Sequence, residues 1–235
     1  MLTREPGAVA AIADMLQIGQ NLIAGVVREE QSPEGNSEAQ RYYNSMLVID
    51  SDGIITAAAD KTHLVPFGEY LPFKDQLSAL GLRAIAAADR GYVPGSQRRS
   101  LALPGGITAL PLICYEVIFG HEVQRLAPSD GLIVNVTNDA WYGNTPGPYQ
   151  HLHQSQLRAV ELGQPLVRGA NSGISAMIDA KGRITHRLAL NERGAFDAVL
   201  TGKMPETLGK AEGPTIFWLI ILFFTTIGLI SRSRQ

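Results

Sequence analysis

The stretch LPLICYEVIF, residues 110–119, decides how this chain is organised. Its apolar lead-in predicts a buried strand that ends at Cys114, the only cysteine among 235 residues. The polar residues Tyr115 and Glu116 follow at once, and Gly120 interrupts the apolar pattern soon afterwards. Open α/β sheets build their sites at such strand ends. Cys114 is therefore a candidate nucleophile, although a free cysteine is also a common buried core residue.

Outward from this stretch, apolar strand patterns alternate with helical ones. The sequence predicts strands over 21–27, 42–50, 54–59, 100–103, 107–114, 131–137 and 165–169, and a hairpin over 174–184. It predicts helices over 5–16, 76–88, 121–127 and 150–162, and a loop over the charged segment 28–40. Strands that are apolar throughout and alternate with helices favour an α/β or a layered α-β-β-α domain over residues 1–200.

Composition excludes several classes of protein. A net charge of −2 and the lack of a basic stripe argue against a nucleic-acid surface. One cysteine cannot form an intramolecular disulfide. The five histidines lack the spacing of metal ligands, and residues 151–153 (HLH) are too little to define a site. We therefore expect neither a metal nor an organic cofactor.

The sequence near the end of the chain predicts a membrane segment. Residues 201–212 form a charged linker, and residues 213–230 contain no charged side chain. As a helix these 18 residues would span roughly 27 Å, close to the hydrocarbon thickness of a bilayer. The alternative is a buried C-terminal helix. We expect a transmembrane helix over 213–231 and a cytoplasmic tail over 232–235, because Arg232 and Arg234 follow the apolar run and Trp218 could anchor its other end.

An irregular loop over residues 60–73 contains Lys61, the best candidate for a cation that assists a nucleophilic Cys114. Two prolines and a glycine shape this loop, and such loops often carry function. A free thiol is only slightly ionised at neutral pH, so a nucleophilic Cys114 needs a base or a nearby cation. Lys61 could hold a developing oxyanion, with the Tyr115 backbone N–H as a second donor. A solvated surface lysine is the common alternative.

Six motifs together resemble a known family. They are Lys61 with HLVPFGEYLP (63–72), ICYE (113–116), TNDAWYG (137–143), GPYQH (147–151), RAVE (158–161) and RGANSGIS (168–175). In this order they resemble the nitrilase, or carbon-nitrogen hydrolase, superfamily, and more closely its membrane branch, the apolipoprotein N-acyltransferases. Each motif alone is weak, but the ordered set is specific.

The resemblance implies a nitrilase-like α-β-β-α sandwich and a Glu-Lys-Cys triad. Cys114 would take an acyl chain from a phospholipid as a thioester, and Lys61 would stabilise the oxyanion. The acyl group would then pass to the α-amine of the diacylglyceryl-cysteine that begins an apolipoprotein. The expected location is the bacterial inner membrane, with the catalytic domain on its periplasmic face.

Three supporting residues also follow from the resemblance. Glu69 matches a second glutamate near the site, and Tyr115 and Glu116 match positions around the nucleophile. The alternatives are a loop carboxylate that only orders Lys61, a packing role for Tyr115 and a surface charge at Glu116. The neighbouring Asn138 and Trp141 are interpreted as mostly structural.

The sequence departs from the family in two respects. The family carries membrane helices before the catalytic domain, and it carries the general-base glutamate in a Pro-Glu motif upstream of the lysine. Neither is expected here, and Glu5 is not assigned that role. The chain is therefore interpreted as the C-terminal part of such an acyltransferase, with impaired activity. The alternatives are a membrane-tethered nitrilase-type amidase that uses water as acceptor, or an inactive fragment.

Overall fold

The strands of this protein form two sheets. The computed structural model describes residues 6–30, 41–80, 91–127, 131–205 and 207–233. The strands are β1 (Asn21–Glu30), β2 (Arg41–Asp50), β3 (Ile55–Asp60), β4 (Leu101–Ala102), β5 (Thr108–Ile113), β6 (Gly131–Asn138), β7 (Leu166–Asn171), β8 (Ala176–Ile178) and β9 (Ile184–Arg187). β1, β2 and β3 make an antiparallel sheet, and β4 to β9 make a second sheet in chain order.

The centre of the larger sheet is parallel. β5 pairs with β6, and β6 pairs with β7, in parallel, while the outer strands are antiparallel. The carboxyl ends of three neighbouring strands therefore meet at one edge, where Ile113, Asn138 and Asn171 end their strands. This edge is where an open α/β sheet positions a site.

Alternate side chains of β5 pack into two separate hydrophobic cores, one on each face of the sheet. Leu110 and Leu112 of β5 lie in one buried cluster, with residues of the long helix. Ala109 and Ile113 lie in the other, with Met46 and Val48 of β2. Because successive strand residues point to opposite faces and both faces are covered, β5 is apolar from Ala109 to Ile113. β5 is thus buried on both faces.

The helices are α1 (Pro6–Met15), α2 (Lys74–Ala79), α3 (Gly120–Leu126), α4 (Gly147–Leu162) and α5 (Leu208–Ser233). α4 packs on the six-stranded sheet through Leu152, Ala159 and Leu162, which recur with helical spacing. It ends at Gly163, whose φ of 62° is the left-handed conformation common after a helix. α1 lies beside the β2–β3 turn, where a Cβ on Gly53 would contact it. The predicted layered α/β fold is confirmed.

Several predicted boundaries differ from the structure. The loop predicted over 28–40 is wrong at its start, because β1 continues to Glu30, which pairs with Arg41. Residues 31–40 and most of the helix predicted over 76–88 lie outside the described residues. α5 begins at Leu208, inside the predicted linker. Over the part of the chain that the structure describes, no helix combines the length and apolar character needed to cross a membrane.

Candidate active site

Cys114 occupies a strained position directly after β5. A short 3-10 turn, Cys114–Ile118, begins there, and the φ of Cys114 is 54°. For a residue with a side chain, the left-handed region costs roughly 1–2 kcal/mol. Such strain persists only where surrounding contacts determine the conformation, and it is concentrated at functional sites.

Two cavities meet at Cys114. The larger, about 620 Å³, lies between the sheets and is lined by β1, β2 and the ends of β5, β6 and β7. The smaller, about 160 Å³, is mostly apolar and is lined by Val65, Gly68, Tyr115 and Tyr142 as well as the shared residues. The residues that line both are Glu69, Cys114, Asn138 and Trp141. A substrate carbonyl at the thiol would therefore have space on both sides.

Lys61 is buried beside this space and is not a solvated surface lysine. Its Nζ donates to both carboxylate oxygens of Glu69, at 2.8 Å each, and its side chain is fully buried. Glu69 is itself held by the Asn44 side chain and by the Val65 N–H at 2.7 Å. Lys61 does not line the cavities itself, but its partner Glu69 lines both. Glu69, which holds Lys61, therefore lies in the walls of the two cavities that Cys114 also lines.

Tyr115 bridges the lysine loop and the cysteine turn. Its O–H donates to the Leu64 carbonyl at 2.9 Å, and its ring centre lies 5.2 Å from the Lys61 Nζ. Burial, followed by the charge of Glu69, raises the pKa of Tyr115 to about 12. The phenol is therefore neutral at physiological pH and acts as a donor.

Glu116 is a buried anchor, so the surface alternative weighed for it is wrong. Its Oε1 accepts from the N–H groups of Thr62 and His63 at 2.8 and 3.0 Å, and from Arg98 Nη2 at 2.5 Å. Its Oε2 accepts from the Ile113 N–H at 2.8 Å. One carboxylate thus ties the loop next to Lys61 to the strand end before Cys114.

A second buried ionic group lies behind the cysteine turn. Arg168 Nη2 donates to Asp139 Oδ2 at 2.7 Å, and His151 Nδ1 lies 2.9 Å from Asp139 Oδ1. Burial alone would raise the pKa of Asp139, but the His151 hydrogen bond and the Arg168 charge outweigh it and lower the pKa. Burial lowers the pKa of Arg168, and the charge of Asp139 opposes that shift.

Sequence reasoning missed Arg98 and Arg168 as parts of the site. Arg98 lies in a polar stretch that favours a surface position, and its burial is visible only in the structure. Arg168 did carry a signal, because it is a charged residue inside an apolar strand, 1% exposed. Among the described residues, no cluster of histidine, cysteine and carboxylate side chains could hold a metal ion.

Comparisons with known proteins agree with this arrangement. A family model described as carbon-nitrogen hydrolase matches residues 6–211. The chain is 51% identical over 233 residues to an apolipoprotein N-acyltransferase of Sinorhizobium fredii, covering 99% of this chain and 44% of that protein. It is 48% identical over 237 residues to one of Brucella melitensis, covering 100% and 44%. The chain thus spans less than half the length of these relatives.

The fold has solved counterparts. An amidase of the nitrilase superfamily from Nesterenkonia AN1, in a cysteine-to-serine variant, matches with a TM-score of 0.54 and 22% identity. The match covers 80% of this chain and 64% of that one. Another structure of that amidase, with acrylamide added at its active-site cysteine, matches equally well and covers 66% of that chain. From the match over residues 6–211, the chain belongs to the carbon-nitrogen hydrolase family.

Proposed function

We propose that this chain carries the nucleophilic centre of an N-acyltransferase that moves a fatty acyl group from a phospholipid to an apolipoprotein. One observation carries the proposal: a strained Cys114 lies at the junction of two cavities, and the wall of both contains Glu69, the partner of the buried Lys61. The similarity to apolipoprotein N-acyltransferases supports the choice of acyl transfer within the family.

The first half-reaction forms a thioester. The Cys114 thiolate attacks the ester carbonyl carbon, the bond to the glycerol oxygen breaks, and the lysophospholipid leaves as an alcohol after taking up a proton. Negative charge on the carbonyl oxygen develops next to Lys61, whose cation Glu69 holds in place. A cation fixed before the reaction stabilises this oxyanion without reorganisation.

The second half-reaction regenerates the thiol. The neutral α-amine of the diacylglyceryl-cysteine attacks the thioester carbonyl, an amide bond forms as the C–S bond breaks, and the proton lost by the amine passes to the departing sulfur. Product from the first step departs before the acceptor reacts, so we expect ping-pong kinetics.

Glu69, Tyr115 and Glu116 support these steps by positioning. Glu69 is the one carboxylate that lines either cavity among the described residues, and both of its oxygens bind Lys61. Glu116 and Tyr115 hold the lysine loop against the cysteine turn. These contacts fit orientation of Lys61 and Cys114 better than proton transfer.

We also propose that α5 holds the domain at the bacterial inner membrane, with residues 213–231 crossing the bilayer. The support is the uncharged run 213–230 and the exposure of large apolar side chains in α5, such as Phe217, Trp218 and Phe224. Arg232 and Arg234 favour a cytoplasmic C-terminus, which puts the catalytic domain on the periplasmic face.

Intact mass spectrometry tests the acyl transfer. The chain is reconstituted with phospholipid at pH 7 and at pH 9, where a thiol ionises without the help of a base. We expect a gain of one acyl group that is absent in Cys114→Ala and is lost when a diacylglyceryl-cysteine peptide is added. An adduct released equally by water would indicate an amidase-type hydrolase. No adduct at either pH on folded protein would refute the proposal.

The single thiol also tests the topology. In intact spheroplasts, a membrane-impermeant maleimide should label Cys114 without lysis. In a Cys114→Ala, Gln235→Cys variant, labelling should require lysis. The reverse pattern would overturn the proposed orientation, and labelling of both without lysis would overturn the membrane crossing.

A further inference from the structure

The side chain of Asn135 hydrogen-bonds the backbone at the end of β5, directly around Cys114. Asn135 lies on β6, paired in register with Leu112 of β5, and it is fully buried. Its Nδ2 donates to the Leu112 carbonyl at 2.9 Å and to the Cys114 carbonyl at 3.3 Å. These two carbonyls flank Ile113, so one amide group holds the backbone on both sides of the point where φ turns positive.

Arg168 determines which way this amide points. Arg168 Nη1 donates to the Asn135 Oδ1, and a guanidinium has donors only. The oxygen of the amide must therefore face Arg168, which leaves the NH₂ group for the Leu112 and Cys114 carbonyls. Arg168 is fixed in turn by Asp139 at 2.7 Å and by the Ile174 carbonyl at 3.2 Å.

We infer that Asn135 is a positioning residue: oriented by the buried Arg168, it holds Cys114 in its left-handed conformation so that an attacked carbonyl forms its oxyanion at Lys61. This inference deepens the proposed function, because it concerns the same thiol. The left-handed backbone conformation is unfavourable for a cysteine by itself, so a fixed hydrogen-bond partner for the Cys114 carbonyl is needed to maintain it. A buried amide held by a buried ion pair is such a partner.

The test compares two reactions of the same sulfur. Iodoacetamide reacts at a saturated carbon and forms no oxyanion, so its rate reports ionisation and access of the thiolate. With p-nitrophenyl butyrate, the sulfur attacks the carbonyl carbon, p-nitrophenolate leaves with the electron pair, and the thiol proton passes to buffer. The ratio of acylation to alkylation rates therefore cancels changes in thiol ionisation and reports the geometry of attack. Cys114 is the only cysteine, so both signals come from one residue.

The variants are Asn135→Leu, which removes both polar contacts, and Asn135→Asp, which keeps an acceptor for Arg168 but removes the donor to the Cys114 carbonyl. We expect the ratio to fall about tenfold or more in both, since small displacements of reacting groups have effects of this size. Ser155→Ala is the matched control. Its hydroxyl contacts Asn135 Oδ1 and Arg168 Nη1 at 3.5 and 3.3 Å, and its ratio should match the wild type.

A purely structural role gives a different pattern. Folded Asn135→Asp protein, checked by near-UV circular dichroism, with a ratio within twofold of wild type would overturn the inference. So would failure of both variants to fold, since Asn135 would then serve folding alone. The result is separate from the acyltransferase proposal: wild type that takes no acyl group from phospholipid would refute that proposal, and the activated-ester ratios would still decide the role of Asn135.

Discussion

Replacing Glu116 with glutamine tests the buried anchor between the lysine loop and the cysteine turn. The change keeps the shape of the side chain but removes its charge and turns one oxygen into an NH₂ group. In one orientation the NH₂ group faces the Ile113 N–H, and in the other it faces Thr62, His63 and Arg98. Either way, at least one buried donor loses its acceptor.

The magnitude follows from two effects. A buried N–H without a partner costs about 1–3 kcal/mol. Arg98, whose side chain is 2% exposed, loses its buried counter-charge, and breaking a buried ion pair costs about 3–5 kcal/mol. The effects overlap because they involve one carboxylate, so we expect unfolding to become easier by about 3–5 kcal/mol. For a chain of this size that lowers Tm by on the order of 10 °C.

Thermal unfolding followed by circular dichroism measures this loss, with Glu122→Gln as the control. Glu122 Oε2 lies 3.9 Å from Arg98 Nη1 and its side chain is 32% exposed, so its removal should cost less than about 1 kcal/mol. Equal and small losses in the two variants would refute the reasoning, because Glu116 would then contribute no more than a surface charge.

Three further outcomes follow from the buried groups. Gly173→Ala should destabilise the fold and disturb the Arg168 pair, because its Cβ would lie 2.5 Å from Asp139 Oδ2; an unchanged Tm would contradict this. The folded-state pKa of Asp139 lies below its ordinary 3.8, so its contribution to stability is present above about pH 4 and is lost as pH falls through the lowered pKa. Urea unfolding at pH 6 and pH 3 should therefore show a smaller acid-induced loss in Asp139→Asn than in wild type, and equal losses would exclude the effect. Tyr115→Phe should remove the hydrogen bond to Leu64 and lower the free energy of unfolding by about 1 kcal/mol. An absorbance titration of this variant should lack one phenol that ionises only near pH 12 in the wild type. Loss of a phenol that ionises near pH 10 would argue against the burial of Tyr115.

The strand pattern was predictable because it is a local property. The run before Cys114 is apolar throughout since both faces of β5 are covered, whereas β6 and β7 also contain the buried polar residues Asn135 and Arg168. Lys61 was proposed from its place in the irregular loop and from the resemblance, and Glu69 was proposed from the resemblance alone. Their mutual contact, between positions that are 8 apart in the chain, arises within one loop.

The partners of the buried charges were not predictable, because they come from distant parts of the chain. Glu116 binds Thr62 across 54 positions, and Arg168 binds Asn135 across 33. Local composition makes Glu116 look like a surface charge, since its burial depends on donors that only the folded chain brings to it.

The sequence by itself determined an α/β chain with one thiol at a strand end, because side-chain periodicity and the position of Cys114 are written in consecutive residues. Only the tertiary structure decided which charges lie buried around that thiol and which amide holds its backbone. A buried charge is stable only with a complete set of partners, and here those partners come from separate strands and loops that pack together only in the fold.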